Sequence, residues 1–117
     1  MNIRIEKHGA VTAVTLPCPR LDINNATELT EALAPVLAES SSVVMDLREV
    51  KFIDSSGFGV ILSTRMTVKG AGGDLKISGA ASQVKVLFEF TRLHRVFEFY
   101  DSVADAVEAF SAKRAEQ

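Results

Sequence analysis

Ser55 and Ser56 stand between the carboxylate of Asp54 and Gly57, a grouping in which a hydroxyl can do chemistry. A serine acts as a nucleophile when a base lies within hydrogen-bond reach of it. The two histidines, His8 and His94, are remote from the pair and from each other, and no triad order or metal-ligand spacing links them. No catalytic residue and no metal ligand is indicated, and the chain is expected not to be an enzyme. Two roles remain for the serines: to cap a helix, or to receive a phosphoryl group. A phosphoserine carries about −1.5 to −2 charges and strong acceptor oxygens. At a helix start it meets free N–H groups and the positive end of the helix dipole, a gain of roughly 0.3–1 kcal/mol at an exposed site. The fold should tolerate it. A partner packed on the same spot should not, because a desolvated dianion weakens a contact by on the order of a hundredfold or more.

For this chemistry the elements around Asp54 must present a helix start. Val43–Leu47 is a short, nearly continuous apolar run, as expected of a central strand flanked in parallel. A link with Val50, Phe52 and Ile53 follows. Phe58, Ile61, Leu62 and Met66 then recur at helical spacing, with Gly70 near the expected end. Asp54, Ser55 and Ser56 thereby fall at the carboxyl end of a strand, beside a helix N-terminus, where α/β sheets tend to carry function. Gly57 and Gly59 each weaken the first turn by up to about 1 kcal/mol, which suggests a close approach to the backbone. They are no nucleotide fingerprint, since the third glycine and the Walker lysine are absent.

Elsewhere the periods alternate. Residues 2–8 read as a half-buried strand through Ile3 and Ile5, and Gly9 turns the chain into a second strand, Ala10–Leu16, stopped by Pro17 and Pro19. Ala26, Leu29, Leu33, Val36 and Leu37 share a helical face, with Asn24 or Asn25 as cap and Pro35 expected to kink or shorten the helix. Gly72-Gly73-Asp74 makes a turn into the strand Leu75–Ser78. A third helix around Val84, Leu87, Phe88 and Thr91, which Ser82 can cap, leads to a fifth strand, Val96–Tyr100. Ser102 caps a last helix through Phe110, and the polar tail from about Ser111 is expected to fray. The sum is an α/β fold of order ββαβαβαβα: a mixed, mostly parallel sheet with an N-terminal antiparallel hairpin and about four helices. One domain over residues 1–117 is expected at this length.

The 47% hydrophobic, 24% charged composition is that of an ordinary globular chain. A net charge of −2 without a basic cluster argues against nucleic acid as a partner. The apolar runs are too short to span a membrane, and Cys18, the lone cysteine, suits a reducing compartment and lies between two prolines as a turn residue, so a cytoplasmic location is expected. An aspartyl-phosphate receiver of similar length would need an acidic pair and a matching lysine that this chain lacks.

Residues 43–62, VVMDLREVKFIDSSGFGVIL, resemble the signature of the STAS domain family, whose members include bacterial anti-sigma factor antagonists. The likeness rests on Asp46-Leu47, Val50, Phe52-Ile53, Asp54-Ser55-Ser56-Gly57, Phe58 and Gly59. It continues in Leu21-Asp22, Gly72-Gly73-Asp74-Leu75, Val84-x-x-Leu87-Phe88 and the closing helix. The resemblance implies phosphorylation at Ser55 by a partner that is both anti-sigma factor and serine kinase, an ATPase of the histidine-kinase-like type. It also implies resetting by a PP2C-type phosphatase, and no cofactor. Asp22, Asp54, Ser55, Ser56, Gly57 and Phe58 are then the partner-binding candidates. Asp22 either positions the kinase or starts a turn, and Asp54 either orients Ser55 or caps the helix. Where the family usually has glycine two residues before the Asp of Leu-Asp, this chain has Arg20 preceded by Pro19, so its loop is its own. The alternative job for the same fold is a non-switch subunit of a stress-signalling scaffold or a lipid-transport complex.

Overall fold

The computed structural model describes residues 1–115, with side chains as far as residue 112. Strand β1 (Arg4–His8) pairs antiparallel with β2 (Val11–Thr15). Strand β2 runs parallel to β4 (Ser42–Asp46), β4 to β6 (Asp74–Ser78), and β6 to β7 (Phe99–Tyr100). The sheet order is β1-β2-β4-β6-β7, and a separate two-residue parallel pair joins β3 (Arg20–Leu21) to β5 (Phe52–Ile53). Helices α1 (Ala26–Glu39), α2 (Ser55–Gly70), α3 (Ser82–Phe90) and α4 (Val103–Ala115) complete the expected αβ alternation.

Strand alternation divides the sheet into two faces. Val14, Val43, Met45, Leu75 and Ile77 point one way, into a core closed by Leu29, Leu33 and Val36 of α1, Ile61 and Val68 of α2, and Phe88 of α3. Val11, Ala13 and Val44 point the other way and meet Ala106 and Phe110 of α4. Both faces of β4 are therefore covered, which is why its sequence is apolar throughout. Phe88 anchors the larger core: Phe58 and Phe99 meet its ring edge-on at 4.9 Å each, and Phe97 at 5.8 Å.

Several sequence expectations are corrected. The first strand is exposed along its whole length rather than half-buried, with Ile5 49% exposed, because it is the outermost strand and α1 reaches only as far as the groove beside Ile5. Pro35 does not end α1, which continues to Glu39; Pro35 and Glu31, whose carbonyl the missing N–H would have met, both lie on the exposed side where water substitutes. Ser82 is the first residue of α3 rather than its cap, a position held by Ala81 without a side-chain bond. The expected strand from Val96 is shorter. Arg92 adopts a left-handed φ of 63°, Leu93–Arg95 form a 3-10 turn, and the strand beside β6 spans just Phe99–Tyr100. Ser102 does cap α4, accepting from the Asp105 N–H at 3.1 Å. Helix α4 runs on through Ala115, and the expected fraying of residues 116–117 lies outside the described residues.

Candidate functional site

The two-residue pair β3–β5 assembles the site. Its register sets Leu21 beside Ile53, so the residues that follow, Asp22 and Asp54, emerge together. The pair is locked from both ends: Lys51 and Phe52 donate to the Pro19 carbonyl at 2.7 and 3.1 Å, and Asp54 N–H donates to the Leu21 carbonyl at 3.0 Å. Arg20 lays its guanidinium over the Phe52 ring, 4.4 Å from the centroid, and its Nε is 3.4 Å from Asp22 Oδ2.

Asp54 is the N-cap of α2. Its Oδ1 accepts from the Gly57 N–H at 3.0 Å, and its Oδ2 accepts from the Ile23 N–H at 3.2 Å. Both oxygens are thus engaged with backbone, which answers the choice between capping and orienting Ser55: the carboxylate caps, and it also ties the preceding loop to the helix. Asp22 starts a turn. Its Oδ1 accepts from Asn24 N–H at 2.9 Å, and its carbonyl accepts from the Asn25 and Ala26 N–H groups at 3.1 and 3.0 Å. Asn25 occupies the cap position of α1 but bonds backward: Oδ1 accepts from Asp22 N–H at 3.0 Å and Nδ2 donates to the Arg20 carbonyl at 2.7 Å.

Ser55 is exposed and Ser56 half-buried at the first two positions of α2, while Gly57 and Phe58 are buried. Gly57 is the point of close approach: a Cβ there would stand 2.5 Å from the Leu21 carbonyl oxygen and 2.9 Å from Ile53 Cγ2. What approaches is the chain's own β3–β5 pair. Gly59 is different, since a Cβ on it would meet nothing within 4 Å. Phe58 is 5% exposed against Phe88, so the structure brings Asp22, Asp54, Ser55 and Ser56 together at the surface and puts Gly57 and Phe58 beneath them.

The match to known families follows this geometry. The family model described as the STAS domain covers residues 2–106. The chain belongs to the STAS domain family. Its STAS relatives include an anti-sigma-B factor antagonist of Bacillus subtilis, 31% identical over 67% of this chain and 72% of that protein. An anti-sigma F factor antagonist of Paenibacillus polymyxa is 27% identical over 92% of each chain. The solved structure of an anti-sigma factor antagonist from Mycobacterium paratuberculosis superimposes with a TM-score of 0.82 at 23% identity, over 94% of this chain and 93% of that one, a likeness of fold.

Within this STAS domain, sequence reasoning passed over Ile23. It is 72% exposed beside the Ser55 loop, and the signal was available: an aliphatic residue between Asp22 and Asn24, off any strand or helix period. Cys18 is half-buried behind the same loop; burial first, then the Asp22 and Glu49 carboxylates, push its thiol pKa up against the opposing amino terminus. A raised pKa disfavours the thiolate that a nucleophile needs. Among the described residues no cluster of His, Cys, Asp or Glu could hold a metal, and no helix is long and apolar enough to cross a membrane.

Proposed function

We propose that this chain is an anti-sigma factor antagonist, acting as one domain, whose partner complex is switched off by phosphorylation of Ser55. The observation that carries the reading is Ser55 itself. It stands exposed at the first position of α2, beside a carboxylate whose two oxygens are already used to hold the surrounding backbone. A phosphoryl group there gains from the helix dipole and disturbs no packed side chain. The frame is unchanged, and only the surface offered to a partner acquires the dianion. The names of the relatives supply the partner class: an anti-sigma factor. The finer reading makes this partner a serine kinase of the histidine-kinase-like ATPase type, with a PP2C-type phosphatase restoring Ser55, all in the cytoplasm. Asp22, Asp54, Ser55 and Ser56 form the contact surface, and Gly57 and Phe58 support it from beneath.

The experiment is an affinity pull-down from native lysate with wild-type and Ser55→Asp baits side by side. Retention of a histidine-kinase-like ATPase by wild type and its loss from the variant supports the switch. Identical partners on both baits would make Ser55 a helix residue only, and a scaffold or transporter-subunit role would replace this one.

A further inference from the structure

Among the described residues, the sheet has one long unpaired edge. Strand β1 is outermost in the order, and all five of its residues are exposed, whereas the opposite edge, β7, has only two residues. An outermost strand presents backbone N–H and C=O groups that can template another strand. Charges on an edge normally discourage this, and Arg4, Glu6 and Lys7 are charged. Their order matters, however.

Two copies of one strand pairing antiparallel about a two-fold axis set residues of the same face opposite each other, so the axis passes through a residue. An axis at Arg4, Glu6 or Lys7 opposes a charge to its own copy, and one at His8 runs off the strand at Gly9. An axis at Ile5 opposes no like charges. Ile5 meets Ile5, and Arg4 meets Glu6 of the second copy on both sides of it. The present partners of these charges are exchangeable: Arg4 pairs with Glu49 and Glu6 with His8, all at exposed side chains where such pairs contribute little. Ile5, 49% exposed, lies over a groove it shares with Lys7, Pro35 and Val36, so apolar surface is there to be covered.

We propose that β1 is a homodimer edge, joining the five-stranded sheets of two copies into one continuous sheet in the Ile5-centred register. Only one register is free of like-charge repulsion, which makes the pairing specific where an uncharged edge would slip. The contact is small, so the dimer is a reversible one that forms at high concentration. Its existence is independent of the Ser55 switch.

Sedimentation equilibrium of the full chain from micromolar to about millimolar concentration tests it, starting from a 12.7 kDa monomer. Wild type should approach twice that mass. Arg4→Glu and Glu6→Arg alone each put like charges opposite twice and should weaken association about tenfold or more. The double exchange, Arg4→Glu with Glu6→Arg, should restore it. Circular dichroism checks that each variant folds, which exposed positions permit. A wild type that stays monomeric, single variants that associate as well as wild type, or a double exchange that fails to restore pairing would each overturn the proposal.

Discussion

The backbone N–H of Ile23 donates to the Asp54 carboxylate at 3.2 Å, joining residues thirty-one positions apart. The other oxygen of Asp54 caps α2 through Gly57. One side chain thus fixes both the start of the helix that carries Ser55 and the loop that flanks it. Asp54→Ala should lower stability by about 1–2 kcal/mol, the usual loss of a cap with a further small loss at Ile23. Asp54→Asn keeps one acceptor oxygen and should lose about half as much. Urea unfolding of the three proteins measures this; equal midpoints would mean the carboxylate holds nothing.

Ser55→Asp puts a negative charge at the first position of α2. Its stability should equal wild type or exceed it by less than about 1 kcal/mol. A thermal melt compared with Ser55→Ala gives the answer. A marked loss of stability would show that the hydroxyl is structural, which the exposed position argues against.

The two glycines of the first turn should respond oppositely to alanine. Gly57→Ala forces a Cβ into the Leu21 carbonyl and Ile53, and should destabilise by about 1–3 kcal/mol. Gly59→Ala meets open space in a helix and should stabilise by about 0.5–1 kcal/mol. Denaturant midpoints of the two variants, moving in opposite directions, check the close approach directly.

Lys76 is 1% exposed on the α4 side of the sheet, with Nζ 2.5 Å from Glu98 Oε1 and 4.9 Å from the Phe110 ring centroid. Burial pulls its pKa down, but the Glu98 hydrogen bond and the charges of Glu98, Tyr100 and Asp74 outweigh this and leave it raised. The folded state therefore holds this proton more tightly than the unfolded chain. Its stabilisation is complete below the ordinary lysine value of about 10.4 and is lost as pH rises through the higher folded value. Glu98→Gln should lower neutral-pH stability by about 1 kcal/mol, a figure kept small because Glu98 is 54% exposed, and should flatten the alkaline loss. Unfolding curves measured from about pH 8 to 12 test both effects.

Long periodic segments were legible from sequence: α1, α2 and α4 from apolar spacing, β2 and β4 from β-prone runs, the hairpin from Gly9. The β3–β5 pair was not, because two-residue strands carry no period; Arg20-Leu21 and Phe52-Ile53 reveal themselves only when paired. Yet that pair builds the site. The Asp-Ser-Ser-Gly motif marked the candidate surface, and the helical spacing of Phe58 with Ile61 signalled its inward turn; what the spacing did not say is that the close approach at Gly57 comes from the chain's own β3–β5 pair. Lys76 was equally opaque, since a lysine at an alternating strand position is ordinarily taken for a solvated one. Asn25 sits where a cap was expected, but a nearer partner, the Asp22 N–H, took its side chain.

Among the described residues, helix α4 alone covers the face of the sheet opposite α1, α2 and α3. The Ser55 surface and the outer side of α4 consequently look in different directions. A fluorescent label attached to α4 at an exposed residue such as Glu108 would sit clear of the proposed Ser55 contact surface and report the arrival or departure of a partner there without standing in its way.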